Sequence, residues 1–259
     1  MVEIGGIPVL LRAPDPRLVT ILEGRFGTFA GSGRNPEFTF DITVIENSAL
    51  TDPDADVSVE VQGEHWMMQR GDFRAEWDAQ SRHGRIFQTL NPYSIDSVLR
   101  IVHSMVLARE GGFLLHASSA VRNGKAFLFS GLSTAGKTTI SRLAPPDAAV
   151  LTDEASYVRK TTAGYTAYGT PFAGEMGTPG ANTSAPIEVL YFLGKGPENR
   201  IEEVSRPDAI RMLMRNILFF AKDPELVRMV FEGACAFLDR IPAQRLTFYP
   251  DERVWDLIG

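Results

Sequence analysis

Cysteine is nearly absent from this chain of 259 residues: Cys235 stands alone, which excludes an internal disulfide framework. Its setting in an apolar helical pattern predicts a buried thiol and no nucleophile. Positive charge is also in short supply. The net charge of −6 excludes a broad electrostatic footprint for nucleic acid, so a polyanionic partner is not expected. Residues 1–8 lack a basic leader and a long apolar stretch, and no apolar run approaches the roughly 20 residues that span a bilayer. No membrane partner and a cytoplasmic address are the corresponding expectations. Apolar residues at 44% and charged residues at 22% sit near the averages of folded proteins, so a globular chain is expected.

The length suits two modest domains, read here as residues 1–108 and 109–259. The first is β-rich. Phe38-Thr39-Phe40-Asp41-Ile42-Thr43-Val44 and Val57-Ser58-Val59-Glu60-Val61-Gln62 alternate between apolar and polar, each predicting a strand with one wet face, and Phe73, Ala75 and Trp77 continue the rhythm. Ser81-Arg82-His83-Gly84 reads as a turn into a strand at 86–90, with His83 at the loop tip. The glycine-rich stretch 26–35 reads as a loop. Ser94 is a candidate cap for a helix carrying Ile95, Val98, Leu99, Val102, Met105 and Val106 on one stripe, ended by Gly111-Gly112, and this helix marks the boundary.

The second domain opens on a strand at 113–121, an Asn123-Gly124 hairpin turn and a near-continuous apolar run, Ala126-Phe127-Leu128-Phe129-Ser130, of the kind covered on both faces. That run leads into Gly131-Leu132-Ser133-Thr134-Ala135-Gly136-Lys137-Thr138-Thr139, which has the G-x-x-x-x-G-K-[ST] pattern of a phosphate-binding loop. The chemistry explains the pattern. Gly131 and Gly136 permit backbone turns that aim successive N–H groups, including those of Ser133, Thr134 and Ala135, at phosphate oxygens. Lys137 can reach the β- and γ-phosphates and Thr138 can offer its hydroxyl to magnesium, with Thr139 continuing into a helix. ATP and Mg2+ are therefore the expected cofactors.

Such a loop also needs a carboxylate near a neighbouring strand end. Ala148-Ala149-Val150-Leu151-Thr152-Asp153-Glu154 supplies two, one for the metal and one to take a proton from an attacking hydroxyl, and spacing does not say which does which. Gly174 and Gly177 flank Glu175, a loop able to bring a third carboxylate to a metal or substrate. Candidate metal ligands are thus Thr138, Asp153 and Glu175. His116 precedes Gly131 by 15 residues, on the strand before the loop's own, and its distance from the Asn123-Gly124 turn leaves open a place at the far end of the hairpin from the loop, so this geometry alone does not promote it.

The series Leu115-His116-Ala117, the 131–139 loop, and Thr152-Asp153-Glu154-Ala155-Ser156-Tyr157-Val158 resembles the catalytic domain of HPr kinase/phosphorylase and its bacterial relatives. The segments around Gly169-Thr170-Pro171-Phe172-Ala173-Gly174-Glu175 and Ile187-Glu188-Val189-Leu190-Tyr191-Phe192 are similar to the same group. The resemblance covers the last 145 residues or so. It implies an α+β architecture, with a mixed-sheet P-loop kinase domain of the HPr kinase/PEP carboxykinase-like type and a smaller β-rich N-terminal domain. It also implies His116, Lys137, Thr138, Asp153 and Glu154 as one site for phosphorylating a serine hydroxyl, and a homo-oligomer. Glu154 replaces the second of the family's paired aspartates, and a Glu-Ile-Arg-Gly-Leu-Gly type segment is missing, so phosphorolysis is not carried over.

The expected function is an ATP- and Mg2+-dependent kinase acting on a hydroxyl-bearing acceptor, namely a protein, a peptide or a small molecule. The alternatives are a P-loop ATPase or nucleotide switch without an acceptor, and a member that only binds. Asn-Lys-x-Asp and Leu-Ser-Gly-Gly-Gln motifs are missing, which disfavours the common switch and transport classes. Lys137→Ala should abolish nucleotide-dependent chemistry, read as loss of turnover of labelled ATP; undiminished turnover would refute the loop assignment.

Overall fold

The computed structural model describes residues 1–31, 35–46 and 56–258. By internal contacts the chain divides into two compact units, Met1–Met105 with Phe219–Val227 and Val106–Leu218 with Arg228–Gly259. Each carries its own mixed sheet with few helices, an α+β arrangement.

In the first unit the strands are β1 (Val2–Ile4), β2 (Ile7–Arg12), β3 (Phe38–Val44), β4 (Ser58–Gln62), β5 (His65–Arg70), β6 (Phe73–Asp78) and β7 (His83–Gln88), with helix α1 (Pro16–Phe26) after β2. They pair in the order β1-β2-β3-β7-β6-β5-β4, parallel at β2/β3 and β3/β7 and antiparallel elsewhere. Alternation works as the pattern demands: Phe38, Phe40, Trp66, Met68, Ala75 and Trp77 are buried while their neighbours along each strand are not. The Trp66 and Trp77 rings lie 4.3 Å apart across the β5/β6 pair.

Three details differ from the sequence reading. Helix α1 was not anticipated in a β-rich stretch; Asp15 caps it by accepting from the Arg17 N–H at 2.9 Å, and Pro16 occupies its first turn. The strand expected at 86–90 begins at His83, whose Nε2 lies 2.8 Å from Asp41 Oδ2, so this histidine is a strand residue and not a loop tip. The 26–35 stretch contains the end of α1 and a 3-10 turn, Gly27–Phe29, and its residues 32–34 lie outside the described residues.

Helix α2 (Pro92–Arg109) begins before Ser94. Asn91 accepts from the Tyr93 N–H at 3.0 Å, and the Ser94 hydroxyl instead donates to Asp72 at 2.7 Å. Burial raises the Asp72 pKa, but hydrogen bonds from Arg70 and Ser94 outweigh it and hold the carboxyl below its usual range.

The second unit contains β8 (Phe113–Arg122), β9 (Lys125–Ser130), α3 (Lys137–Arg142), β10 (Ala149–Thr152), β11 (Ala155–Thr161), β12 (Gly164–Tyr168), β13 (Ser184–Lys195), β14 (Arg200–Glu203), α4 (Arg206–Met214), β15 (Ile217–Leu218), α5 (Pro224–Leu238, of which residues from Arg228 on belong here) and β16 (Ala243–Phe248). The sheet runs β10-β8-β11-β12-β13-β16-β14, with β9 joining β8 to β13 and β15 on β8. Strands β9, β13 and β16 are mutually parallel through β13. Ser205 caps α4, its hydroxyl accepting from the Asp208 N–H.

The apolar run in β9 has a simple cause. Ala126 and Leu128 join one core with Leu190, Phe192, Leu213 and Phe237, while Phe127 and Phe129 join a second with Tyr191, Phe248 and Trp255. Both faces of the strand are covered, so no position is left for a polar residue. Cys235, expected to be buried, is half-buried. Among the described residues no helix is long and apolar enough to cross a membrane.

Phe237 packs edge-on against Phe113 at 5.2 Å and Tyr165 at 5.0 Å. Phe237→Ala should cost about 3–5 kcal/mol, read as a lowered denaturant midpoint for the unfolding transition of this unit; a change within 1 kcal/mol would show that the ring is not a keystone of this core.

Candidate functional site

The site begins with a hairpin. Asn123 and Gly124 both take positive φ, 52° and 73°, so β8 and β9 are joined by the tight turn that the Asn-Gly pair favours. The register that follows pairs Val121 with Ala126 and Ala117 with Ser130. His116 therefore comes level with Gly131. The spacing left its end of the hairpin open, and the register decides it: His116 and Gly131 are each seven residues from the turn, on opposite strands, so pairing brings them together.

From Gly131 the chain turns tightly. A side chain at Gly131 would meet Ala135 Cβ at 2.6 Å, and one at Gly136, where φ is 106°, would meet the Phe248 ring at 2.7 Å. Thr134 also has positive φ, 68°. Lys137, only 8% exposed, folds back along the loop and donates to the carbonyls of Gly131 at 3.0 Å and Leu132 at 3.2 Å. Burial pushes its pKa down, and the carboxylates of Glu154 and Glu175 act in the opposite direction.

Along the other edge of β8 lie β10 and β11, and the ladder is irregular between them. Thr152 pairs with Ser119 and Ala155 with Ala117, so three steps on one strand match two on the other. This is a β-bulge, and it turns Asp153 and Glu154 out of the sheet. The Thr152 hydroxyl accepts from the N–H groups of both Glu154 and Ala155 at 3.1 Å, which satisfies donors that the bulge frees.

The two acids meet different surroundings. Asp153 is 4% exposed and accepts from the Gly174 N–H at 3.0 Å and the Met176 N–H at 2.8 Å. It clasps the loop that carries Glu175. That clasp explains Gly174, where a Cβ would lie 2.8 Å from the Asp153 carboxylate. Glu154 instead faces His116, with Oε1 3.7 Å from Nδ1.

His116, Ser133, Thr134, Gly136, Lys137, Thr138, Thr139, Asp153, Glu154 and Glu175 all line one cleft of about 430 Å3, so every chemistry-bearing candidate from the sequence except Gly131 and Ala135 borders it directly. Gly131 and Ala135 form the outer side of the same loop. Lys195, which sequence reading missed, lines the cleft as well. Its signal was parallel pairing: Phe192 is level with Ser130, so the end of β13 emerges beside the loop that leaves β9. Among the described residues no group of three or more His, Cys, Asp or Glu side chains is arranged to hold a metal by itself.

Fold and site thus define an α+β protein whose second sheet gathers a glycine-rich turn, two lysines, a histidine and three carboxylates around one cleft. Residues 86–259 match the family model described as SynChlorMet cassette protein ScmC, and the chain belongs to that family. No curated protein matches the sequence.

If Asp153 is the clasp of the 174–176 loop, Asp153→Ala should leave the Gly174 and Met176 amides without acceptors and destabilise the unit by about 1–3 kcal/mol. Faster hydrogen exchange confined to those two amides and their neighbours is the expected reading; unchanged exchange there would remove the clasp.

Proposed function

We propose that this protein is an ATP- and Mg2+-dependent kinase of the HPr kinase-like type, transferring a phosphoryl group to a hydroxyl acceptor. The observation that carries the reading is the convergence of Lys137 and the 131–138 turn with the His116–Glu154 pair in a single cleft. A phosphate-binding loop alone is compatible with hydrolysis. A carboxylate base beside that loop suits a hydroxyl acceptor, and Glu154, next to His116, supplies one.

The residues fit the group. The turn from Gly131 to Thr138 offers backbone N–H donors, an ammonium held against the loop carbonyls, and a threonine hydroxyl, which together suit a polyphosphate and its cation. Bound Mg·ATP would supply the activated phosphoryl group and neutralise its charge. Thr138 and Glu175 are the groups proposed to face the metal, together with the lone pairs of Asp153 that its two backbone donors leave unused. A metal held jointly by these oxygens and the phosphates needs no self-sufficient protein cluster.

Glu154 is proposed as the base that takes the acceptor's proton. The acceptor oxygen forms a bond to the γ-phosphorus as the bond to the β,γ-bridging oxygen breaks, and ADP is released. His116, with Nδ1 3.7 Å from Glu154 Oε1, is proposed to position it. Asp153, occupied by two backbone donors, is better suited to positioning than to proton transfer. Lys137 and Lys195 bring positive charge to the cleft, which counters charge developing on the transferred group.

The test is transfer from labelled ATP with Mg2+ to candidate acceptors. Glu154→Gln should lower transfer by about 10²–10⁴-fold while ATP affinity is kept. Label released only as free phosphate, whatever acceptor is supplied, would overturn the kinase reading in favour of an ATPase.

A further inference from the structure

We infer that Arg142 is a positioning residue for the metal side of the cleft: it ties the 174–176 loop to helix α3, so that Glu175 is held in a fixed relation to Thr138. The inference rests on the reading of the cleft as a Mg·ATP site. It goes beyond that reading in naming what keeps two metal-facing groups from separate segments together.

Helix α3, which begins with Lys137 and Thr138, is the fixed partner. Ile140 is fully buried in one core with Phe129, Phe248 and Trp255. The Trp255 indole N–H donates to the Ile140 carbonyl at 3.2 Å, and the Ser141 hydroxyl donates to the Lys137 carbonyl at 3.2 Å. Close packing of this kind resists any shift of the helix. The 174–176 loop is the opposite case. It lies between β12 and β13, in a stretch with neither helix nor strand, so its position depends on the groups that bond to it.

Those groups grip it from two sides. Asp153 accepts from the Gly174 and Met176 N–H groups, and Arg142 Nη2, in the last turn of α3, donates to the Glu175 carbonyl at 3.4 Å. The Glu175 carbonyl and the Met176 N–H belong to one planar trans peptide and point in opposite directions. A guanidinium therefore holds one edge of that peptide while a carboxylate holds the other, which fixes the backbone from which the Glu175 side chain departs. The side chain is left for the cleft. Glu175 lines it together with Thr138, and its negative charge favours the protonated form of Lys137. Among the described residues neither Glu175 nor the exposed Arg142 makes a salt bridge, so no acid draws the guanidinium away from the loop carbonyl and no cation takes the carboxylate.

Affinity for a non-hydrolysable ATP analogue, measured by calorimetry with Mg2+ and again with EDTA, reads this tie without turnover. The ratio of the two affinities is the metal's share. Arg142→Ala should lower that ratio about three- to ten-fold and leave the affinity in EDTA as it is in the unaltered protein. Arg142→Lys, which keeps a cationic donor, should restore part of the ratio. In a Glu175→Gln background Arg142→Ala should cause no further loss, because the two residues act through one contact. Amide exchange at Gly174 and Met176 should also quicken in Arg142→Ala. An unchanged ratio, a loss equal in Mg2+ and in EDTA, a loss that adds to that of Glu175→Gln, or unchanged exchange at those amides would overturn the inference. If the unaltered protein binds no analogue at all, the nucleotide reading falls and this inference with it. Binding without phosphoryl transfer, by contrast, bears on the kinase reading alone, because the affinity ratio requires no chemistry.

Discussion

The register of β8 is the constraint on which the site depends. One edge of this strand is paired with β9, which sets Ala117 against Ser130 and so delivers the glycine-rich loop beside His116. Its other edge is paired with β10 and β11, whose bulge opens opposite Ala117 to Ser119 and turns out Asp153 and Glu154. Three distant segments thus meet because one strand is the template for all of them. A slip of one residue would carry His116 to the opposite face of the sheet and part it from Glu154.

Rigidity behind the site comes from burial on both sides. Phe127 and Phe129 fill one face of β9 while Ala126 and Leu128 fill the other, and β13 repeats the arrangement with Tyr191 and Phe192. Interiors of this kind are packed to crystalline density, which resists displacement of the strands. Parallel pairing of β9 with β13 then places Lys195 at the same sheet edge as the loop. Loop residues can afford unusual backbone geometry, such as positive φ at Thr134 and Gly136, because the strands and α3 on either side hold them.

Adjacent acids of the cleft have opposite surroundings. Asp153 is buried and saturated by backbone donors, which fixes the 174–176 loop and Glu175 with it. Glu154, one residue on, is left partly exposed beside His116. Neighbouring carboxyl groups placed in different environments take different roles, and the bulge produces that difference by directing the two side chains apart.

Much was legible in the residues themselves. The Asn123-Gly124 turn, the apolar β9 run, and the glycine, lysine and threonine spacing of the loop are local features, and each follows from backbone freedom or from the period of apolar positions. Helix α1 and the start of β7 were passed over because a short Asp-Pro cap and a polar strand start are weak signals beside strong alternation. What only the tertiary structure decided was which residues meet. Pairing register brought His116 to the loop, a bulge separated Asp153 from Glu154, and a parallel crossover brought in Lys195. Local spacing says which backbone a segment favours; the meeting of distant segments is set by ladder hydrogen bonds and two-sided burial, which no single stretch of sequence contains.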